Sequence, residues 1–187
     1  MLNEFKTNFS GGTRSNRFLI EGTFPTGGAF TKFHVRSTIM PQLSTKTLTL
    51  DYFGRKFHYP GEKEYGTWTF SVLDDQGGTQ DLWQYFQNWQ NSINNHQTNI
   101  SSPIDQNTSY KAYGWRIKHL DMNGTSILKE YIMHGCWPTA INQMSLNMAN
   151  PNMMNVFQVI VVYDYIELVS QGINITNTSL SNNQNVS

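Results

Sequence analysis

The hydrophobic pattern of this chain is one of strands that arrive in pairs. Arg17 to Phe24 and Phe30 to Ser37 flank Pro25-Thr26-Gly27-Gly28, whose glycines accept positive φ without steric cost, and this predicts a first hairpin. Leu43 to Asp51 sets Leu48 and Leu50 between threonines, and Arg55 to Tyr59 follows Gly54. That stretch predicts a second, more polar hairpin or an extended loop, ended by a break at Pro60-Gly61. Thr67 to Val72 alternates strictly, with Trp68, Phe70 and Val72 on one face and small hydroxyl residues on the other, which is the signature of a strand with one buried side.

The period then changes. Asp74-Asp75-Gln76-Gly77-Gly78-Thr79 reads as a turn ending in a helix cap, and Leu82, Phe86, Trp89 and Ile93 follow at helical spacing, so one amphipathic helix is predicted from roughly Thr79 to Asn94. Its outer face, Gln84, Gln87, Asn88, Gln90 and Asn91, carries no charge. Either a neighbour covers that face or the composition simply favours amides. Ile100 to Ser109 reads as an irregular loop. Tyr113 to Leu120 and Ser126 to His134 flank Asp121-Met122-Asn123-Gly124, and Asn-Gly between strand-like runs is a strong hairpin signal. A two-residue turn would set Lys118 opposite Lys129 and near Arg116, with Trp115, Ile117, Leu128 and Ile132 sharing the other face. Like charges paired across strands cost energy, so this register calls for an acidic partner from elsewhere, another copy included.

The last apolar run is the most demanding. A tight Gly135-Cys136-Trp137-Pro138-Thr139 corner precedes Val156 to Leu168, read as one strand apolar on both faces, and such a strand is buried from two sides. A small domain has too little material to cover it alone, so self-association is expected. After Leu168 the composition turns to Asn, Ser, Thr and Gln, which bury too little to offset their ordering entropy. The expected organisation is a single domain over 1–169, with an N-terminal arm over 1–15 and a polar tail over 170–187.

Charge narrows the function. Charged residues are 14% of the 187-residue chain against a typical value of about 25%, and 13 Lys and Arg balance 13 Asp and Glu. Tight duplex binding needs clustered cations that displace counterions, and no such cluster exists here. The single Cys136 forms no internal disulfide, and no apolar run has membrane-spanning length or signal-peptide form, so a cytosol-like setting without membrane insertion is expected.

Candidate chemistry is sparse. His134 and Cys136 lie two apart but lack an orienting group or an oxyanion feature, so a buried thiol beside a hairpin-end histidine is the better reading. Asp74-Asp75 fits a turn and helix N-terminus better than a pair of catalytic carboxylates. The Trp and Tyr residues could stack on sugars, yet most occupy inward or helical-stripe positions. The scattered histidines lack metal-site spacing, and no glycine-rich segment has phosphate-loop form. No catalytic, cofactor or metal site is therefore expected.

Taken in order, Arg17-Phe18-Leu19-Ile20-Glu21, Met40-Pro41, Gly61-Glu62-Lys63-Glu64-Tyr65-Gly66-Thr67-Trp68-Thr69-Phe70, Leu73-Asp74-Asp75, Trp83-Gln84-Tyr85-Phe86-Gln87-Asn88-Trp89, Gly135-Cys136-Trp137-Pro138-Thr139 and Tyr163-Asp164-Tyr165 resemble the tail tube proteins of contractile-tailed, T-even-type bacteriophages. The likeness covers roughly residues 15 to 168. It implies a mainly β fold, an antiparallel β-sandwich or barrel with one flanking α-helix, assembling into hexameric rings. It also implies that rings stack into a tube with the sheath protein outside, the tape-measure protein and then viral DNA inside, and baseplate and tail terminator at the ends. The resemblance implies a location in the virion tail after assembly in the host bacterial cytoplasm.

A wall that lets DNA slide must be neutral or acidic, so Arg116, Lys118 and Lys129 are expected at interfaces or on the outside. Stacking contacts are expected from Leu2 and Phe5 of the arm, from Leu48, Leu50, Tyr52 and Phe53, and from the loop around Pro60. The rival readings are an inner-tube subunit of a related contractile injection or secretion device and a monomeric carbohydrate-binding β-sandwich.

Overall fold

The computed structural model describes residues 7, 12–30, 34–74, 81–101, 110–144, 146, 148 and 154–169. Among the described residues the order of elements is β1 Phe18–Thr23, β2 Ala29–Phe30, β3 Val35–Thr38, β4 Leu43–Tyr52, β5 Arg55–Tyr65, β6 Trp68–Leu73, α1 Leu82–Ile93, β7 Trp115–Leu120, β8 Ile127–His134, β9 Trp137–Ile141, β10 Val156–Val162 and β11 Tyr165–Val169. They form a five-stranded sheet, β11-β8-β7-β1-β2, a four-stranded sheet, β3-β6-β10-β9, and a separate two-stranded hairpin, β4-β5. Every strand pairing is antiparallel.

The two larger sheets enclose an aromatic core. Trp115 lies at its centre, fully buried, with ring centroids 5.2 Å from Phe30, 5.7 Å from Phe24 and Trp89, and 6.0 Å from Trp68. Its indole N–H donates to the Thr23 carbonyl at 3.1 Å, so the ring is buried without an orphaned donor. Gly22 makes that position possible, because a Cβ there would collide with the indole ring. The alternation in β6 is as the sequence requires: Trp68, Phe70 and Val72 are buried, and Thr69, Ser71 and Leu73 are half-exposed.

Helix α1 lays Leu82, Phe86 and Trp89 into the same core. It begins later than the sequence pattern suggests. The cap is Asp81, whose carboxylate accepts the Gln84 N–H at 3.2 Å, while Asp74 closes a strand end by donating its N–H to the Asn155 carbonyl at 3.0 Å. Thr79 and Asp75 lie outside the described residues, as do Leu2, Phe5, most of the N-terminal arm and the 170–187 tail.

Four sequence expectations change. The first hairpin is short on its second side: Gly22 and Thr23 pair with Phe30 and Ala29, and Val35 to Thr38 then joins the other sheet beside β6. Pro60 and Gly61 do not break the chain. They lie inside β5, where a bulge opposite Thr45 to Thr47 absorbs the proline, and the absence of a Cβ at Gly61 lets it approach the Lys46 carbonyl.

The β7–β8 connection is a longer loop, in which the Asp121 carboxylate accepts the N–H groups of Thr125 and Ser126. A bulge beside Leu120 shifts the register, so that Lys118 pairs with Glu130 and His119 with Lys129. A one-residue slip exchanges faces: Met133 and Tyr131, rather than Ile132 and Leu128, sit opposite Trp115 and Ile117.

The over-apolar run is two strands. β10 pairs with β6 and β9, and β11 pairs with β8 in the other sheet. Within β10 only Phe157, Val159 and Val161 are buried, so the chain covers the run from one side and bends it at Tyr163-Asp164. The bend is pinned at Gly135, whose φ is +68° and where a Cβ would strike the Asp164 carboxylate. The Asp164 N–H donates to the His134 carbonyl at 2.9 Å, and its carboxylate takes two bonds from Lys111 Nζ, at 2.8 and 2.9 Å.

Two substitution and pH experiments test this core. Gly22→Ala should destabilise the fold by about 1–3 kcal/mol, since the added methyl overpacks against Trp115; Trp115→Phe in the same chain should recover part of that loss, and additive losses in urea denaturation would contradict the contact. Burial pushes the Cys136 thiol from 9.0 up to about 12, and it pushes the Tyr163 hydroxyl from 10.0 up to about 12. Both keep protons that an unfolded chain releases, so stability is retained below pH 9 and falls as the pH rises towards 12. Denaturation midpoints measured across that window should decline, and less steeply in Cys136→Ala.

Candidate functional site

A structural protein acts through its surfaces, and three stand out. The first is the β4–β5 hairpin. Every residue of β4 and most of β5 are exposed. Its register pairs Leu48 with Tyr59 and Leu50 with Phe57, so those four residues and Tyr52 share one face, while Thr47, Thr49, Asp51, Lys56 and His58 share the other. The hairpin is therefore amphipathic, and the described residues leave its apolar side uncovered: Leu48 is 63%, Tyr52 59% and Phe53 88% exposed. The tip is a two-residue turn with positive φ at both positions, 48° at Phe53 and 71° at Gly54, the geometry that matches strand twist. A bulky residue held at positive φ is uncommon. Here it stands Phe53 outward, edge-on to Tyr52 at 4.6 Å between centroids.

The second surface is the outer face of the five-stranded sheet, where Arg116 and Lys118 lie. Lys118 Nζ contacts Glu21 at 2.6 Å, Arg116 contacts Glu130 at 3.3 Å, and His134 Nε2 stands 3.4 Å from Glu167. The acidic partners that the cations require thus come from β1 and β8 of the same chain, not from another copy. Glu130 is buried at 6% exposure, and a buried carboxylate needs such an answer. Lys129 is not on this face: it is exposed at the end of the sheet, opposite His119, on the side that Trp115 and Ile117 share.

The third surface is the outer face of the four-stranded sheet. Thr69, Ser71 and Leu73 of β6 lie beside Ile160, Gln158 and Val156 of β10, with Ala140 beyond. Strands β6, β9 and β10 contain no Asp, Glu, Lys or Arg, and Arg36 in β3 is the one charge of the sheet. Alongside it, Gln84, Gln87, Asn88 and Asn91 of α1 are exposed amides, while Gln90 turns in to donate to the Thr139 carbonyl at 3.4 Å.

Among the described residues no cluster of three or more potential ligands could hold a metal. Cys136 is fully buried, with its thiol pushed up to about 12 by desolvation, whereas His134 stacks on Tyr165 at 4.5 Å between centroids. Trp68, Trp89 and Trp115 are buried in the core, so they offer no face to a sugar.

Of the residues named from sequence, Leu48, Leu50, Tyr52 and Phe53 gather on the hairpin with Pro60 near its bulge, and Arg116, Lys118 and Lys129 lie on the five-stranded sheet. Phe57 and Tyr59 complete the apolar face. Their signal was the alternation Arg55, Phe57, Tyr59 set against Leu48, Leu50, Tyr52, which becomes visible only once the turn is placed at Phe53-Gly54. Glu21 and Glu130 carried no local signal.

Comparison with known proteins agrees with this architecture. The tail tube protein gp19 of Enterobacteria phage T4 is 25% identical over 154 residues, covering 82% of this chain and 90% of gp19, and gp19 of phage T6 matches to the same extent. The sheath–tube complex of an extracellular contractile injection system contains a chain of similar fold, with a TM-score of 0.62, 19% identity and coverage of 91% of this chain and 99% of that one. The tube-terminating cap of the anti-feeding prophage is similar at a TM-score of 0.64 and 18% identity, covering 87% and 94%. The phage tail tube protein family model matches residues 5–169, and the chain belongs to that family as a structural component of the virion tail.

Proposed function

We propose that six copies of this chain close into a ring with the four-stranded sheet turned to the central channel, and that rings stack into the inner tube of a contractile tail. The observation that carries this reading is the contrast between the two sheet faces. One is built from hydroxyls, amides and aliphatic groups, and the other holds its cations against Glu21 and Glu130. Duplex DNA gains affinity for every wall cation that displaces a counterion, and affinity in a conduit is drag. A sheet whose one charge is Arg36, on its edge strand, supplies little grip and no strong repulsion.

The sheath protein then surrounds the tube, the tape-measure protein and later the viral DNA occupy the channel, and baseplate and terminator close the ends. Assembly takes place in the host bacterial cytoplasm. The domain spans 1–169 in this reading, its arm over 1–15 contributing Leu2 and Phe5 to stacking, and the tail over 170–187 lies beyond it. Arg116, Lys118 and Lys129 face away from the passenger. The same ring would carry a protein effector if the chain served a contractile injection device, and the passenger recovered from intact particles separates the two.

Electron microscopy of the purified chain should show six-fold rings or tubes; a monomer at high concentration would overturn the proposal. Thr69→Lys, Ser71→Lys and Gln158→Lys together should leave tubes intact and lower DNA delivery by roughly tenfold or more, with recovery at raised ionic strength because the added attraction is counterion-dependent. Unchanged delivery would remove the four-stranded sheet from the channel wall.

A further inference from the structure

Gly follows Asn at one place in the chain, Asn123-Gly124, and the pair does not form the two-residue turn that its sequence predicts. It lies in the loop between β7 and β8, with Asn123 exposed. Asp121 organises that loop. The Gly124 N–H donates to the Asp121 carbonyl at 3.1 Å, and the Asp121 carboxylate accepts the N–H groups of Thr125 at 2.9 Å and Ser126 at 3.2 Å. Against desolvation, which raises it, main-chain N–H groups of Ser126, Thr125, Gly124 and Asn123 hold the Asp121 carboxyl below its usual value of 3.8. The carboxylate is therefore ionised at neutral pH and ties the loop together.

We propose that Asn123 is a site of spontaneous deamidation through a cyclic imide, and that Asp121 restrains it. The Gly124 main-chain nitrogen loses its proton to water or hydroxide and attacks the side-chain carbonyl carbon of Asn123. A bond forms between that nitrogen and Cγ, the bond from Cγ to Nδ2 breaks, and ammonia leaves with the proton. Water then opens the ring. Cleavage at Cγ restores the main chain with an aspartyl side chain at position 123, whereas cleavage at the main-chain carbonyl carbon routes the chain through Cγ and leaves an isoaspartyl link. Nothing is oxidised or reduced, and water is the one co-reactant.

The loop supplies both access and restraint. Gly124 takes a φ of +75° and brings no Cβ to hinder the approach. Where a Cβ would stand, Arg17 Nη1 is 3.8 Å away, at ordinary contact, and a guanidinium there favours an amide that has given up its proton. Opposing this, an N–H that is already donated parts with its proton less readily, and the turn must open before the nitrogen can reach Cγ. Asn91-Ser92, by contrast, lies within α1, where the helical main chain blocks the same attack.

The product changes charge and shape together. The balance of 13 Lys and Arg against 13 Asp and Glu tips by one negative charge. The isoaspartyl form also lengthens the main chain by one carbon, so the N–H groups no longer match the Asp121 carboxylate. That loop follows the bulge beside Leu120 that sets the register of β7 against β8.

Two measurements on the full chain test the proposal, and neither needs rings to form, so failure here is separate from failure of the tube reading. The folded chain is incubated at neutral and at mildly alkaline pH in heavy-oxygen water, digested and mapped by mass spectrometry. The Asn123 peptide should gain solvent oxygen well before the Asn91 peptide and faster at the higher pH, with both aspartyl and isoaspartyl products. Isoelectric focusing should show one more acidic species growing in step. Asp121→Ala should speed the conversion roughly twofold to tenfold, the range of one hydrogen bond. Because that variant also disturbs the loop, the unaltered chain is compared in urea, where conversion should exceed the folded rate by a similar or larger factor. Asn123 that stays intact at alkaline pH in the folded chain, or a rate at that position unchanged by loss of the Asp121 carboxylate or by urea, would overturn the proposal.

Discussion

The structure depends on where Trp115 sits. Its ring is reached by Phe24 and Phe30 from the first hairpin, Trp68 from the opposite sheet, and Phe86 and Trp89 from the helix. Elements far apart in sequence therefore share one aromatic centre. Close-packed interiors transmit such constraints, because no neighbour can move without opening a void. Gly22 is the counterpart of the indole: with no side chain, it lets β1 lie against the ring face while Ile20 beside it still points inward. Both sheets and the helix are fixed by one contact set, which leaves the hairpin free to be built for something other than the core.

The second constraint is the corner at Gly135 and Asp164. There β8 passes into β9 of the other sheet while β10 passes into β11, so a two-stranded ribbon folds over the edge of the sandwich. Asp164 is held by its own N–H, by Lys111 and by the space at Gly135. This corner removes the excess of apolar surface that the run from Val156 to Leu168 presents when drawn as one straight strand. Among the described residues the uncovered apolar surface belongs chiefly to the hairpin, not to the buried strands.

What could be read from sequence follows the range of the interaction. The strict alternation of Trp68, Phe70 and Val72 and the helical spacing of Leu82, Phe86 and Trp89 are local, and both elements are where their periods put them. The hairpin apex residues Leu48, Leu50, Tyr52 and Phe53 were legible as uncovered hydrophobes. The register of β7 against β8 was not, because a single bulged residue beside Leu120 decides it, and a bulge leaves no period in sequence. Nor could the partner of Lys118 be found locally, since Glu21 lies 97 residues away.

Charge and greasiness are divided in this molecule by direction. Across the five-stranded sheet, Arg116 and Lys118 are satisfied within the chain, so little charge is left over to set specificity sideways. The β4–β5 hairpin has two unlike faces: Leu48, Leu50, Tyr52, Phe57 and Tyr59 make one apolar, while Thr49, Asp51, Lys56 and His58 stand on the other. Apolar contact is non-directional and strong per unit area, but it does not choose an orientation. Orientation must come from the hairpin's two unlike faces, since only one of them gains from being covered by an apolar surface. A chain with so few ionised residues can thus still present a directional surface, because the alternation of β4 and β5 separates apolar from polar side chains across one ribbon.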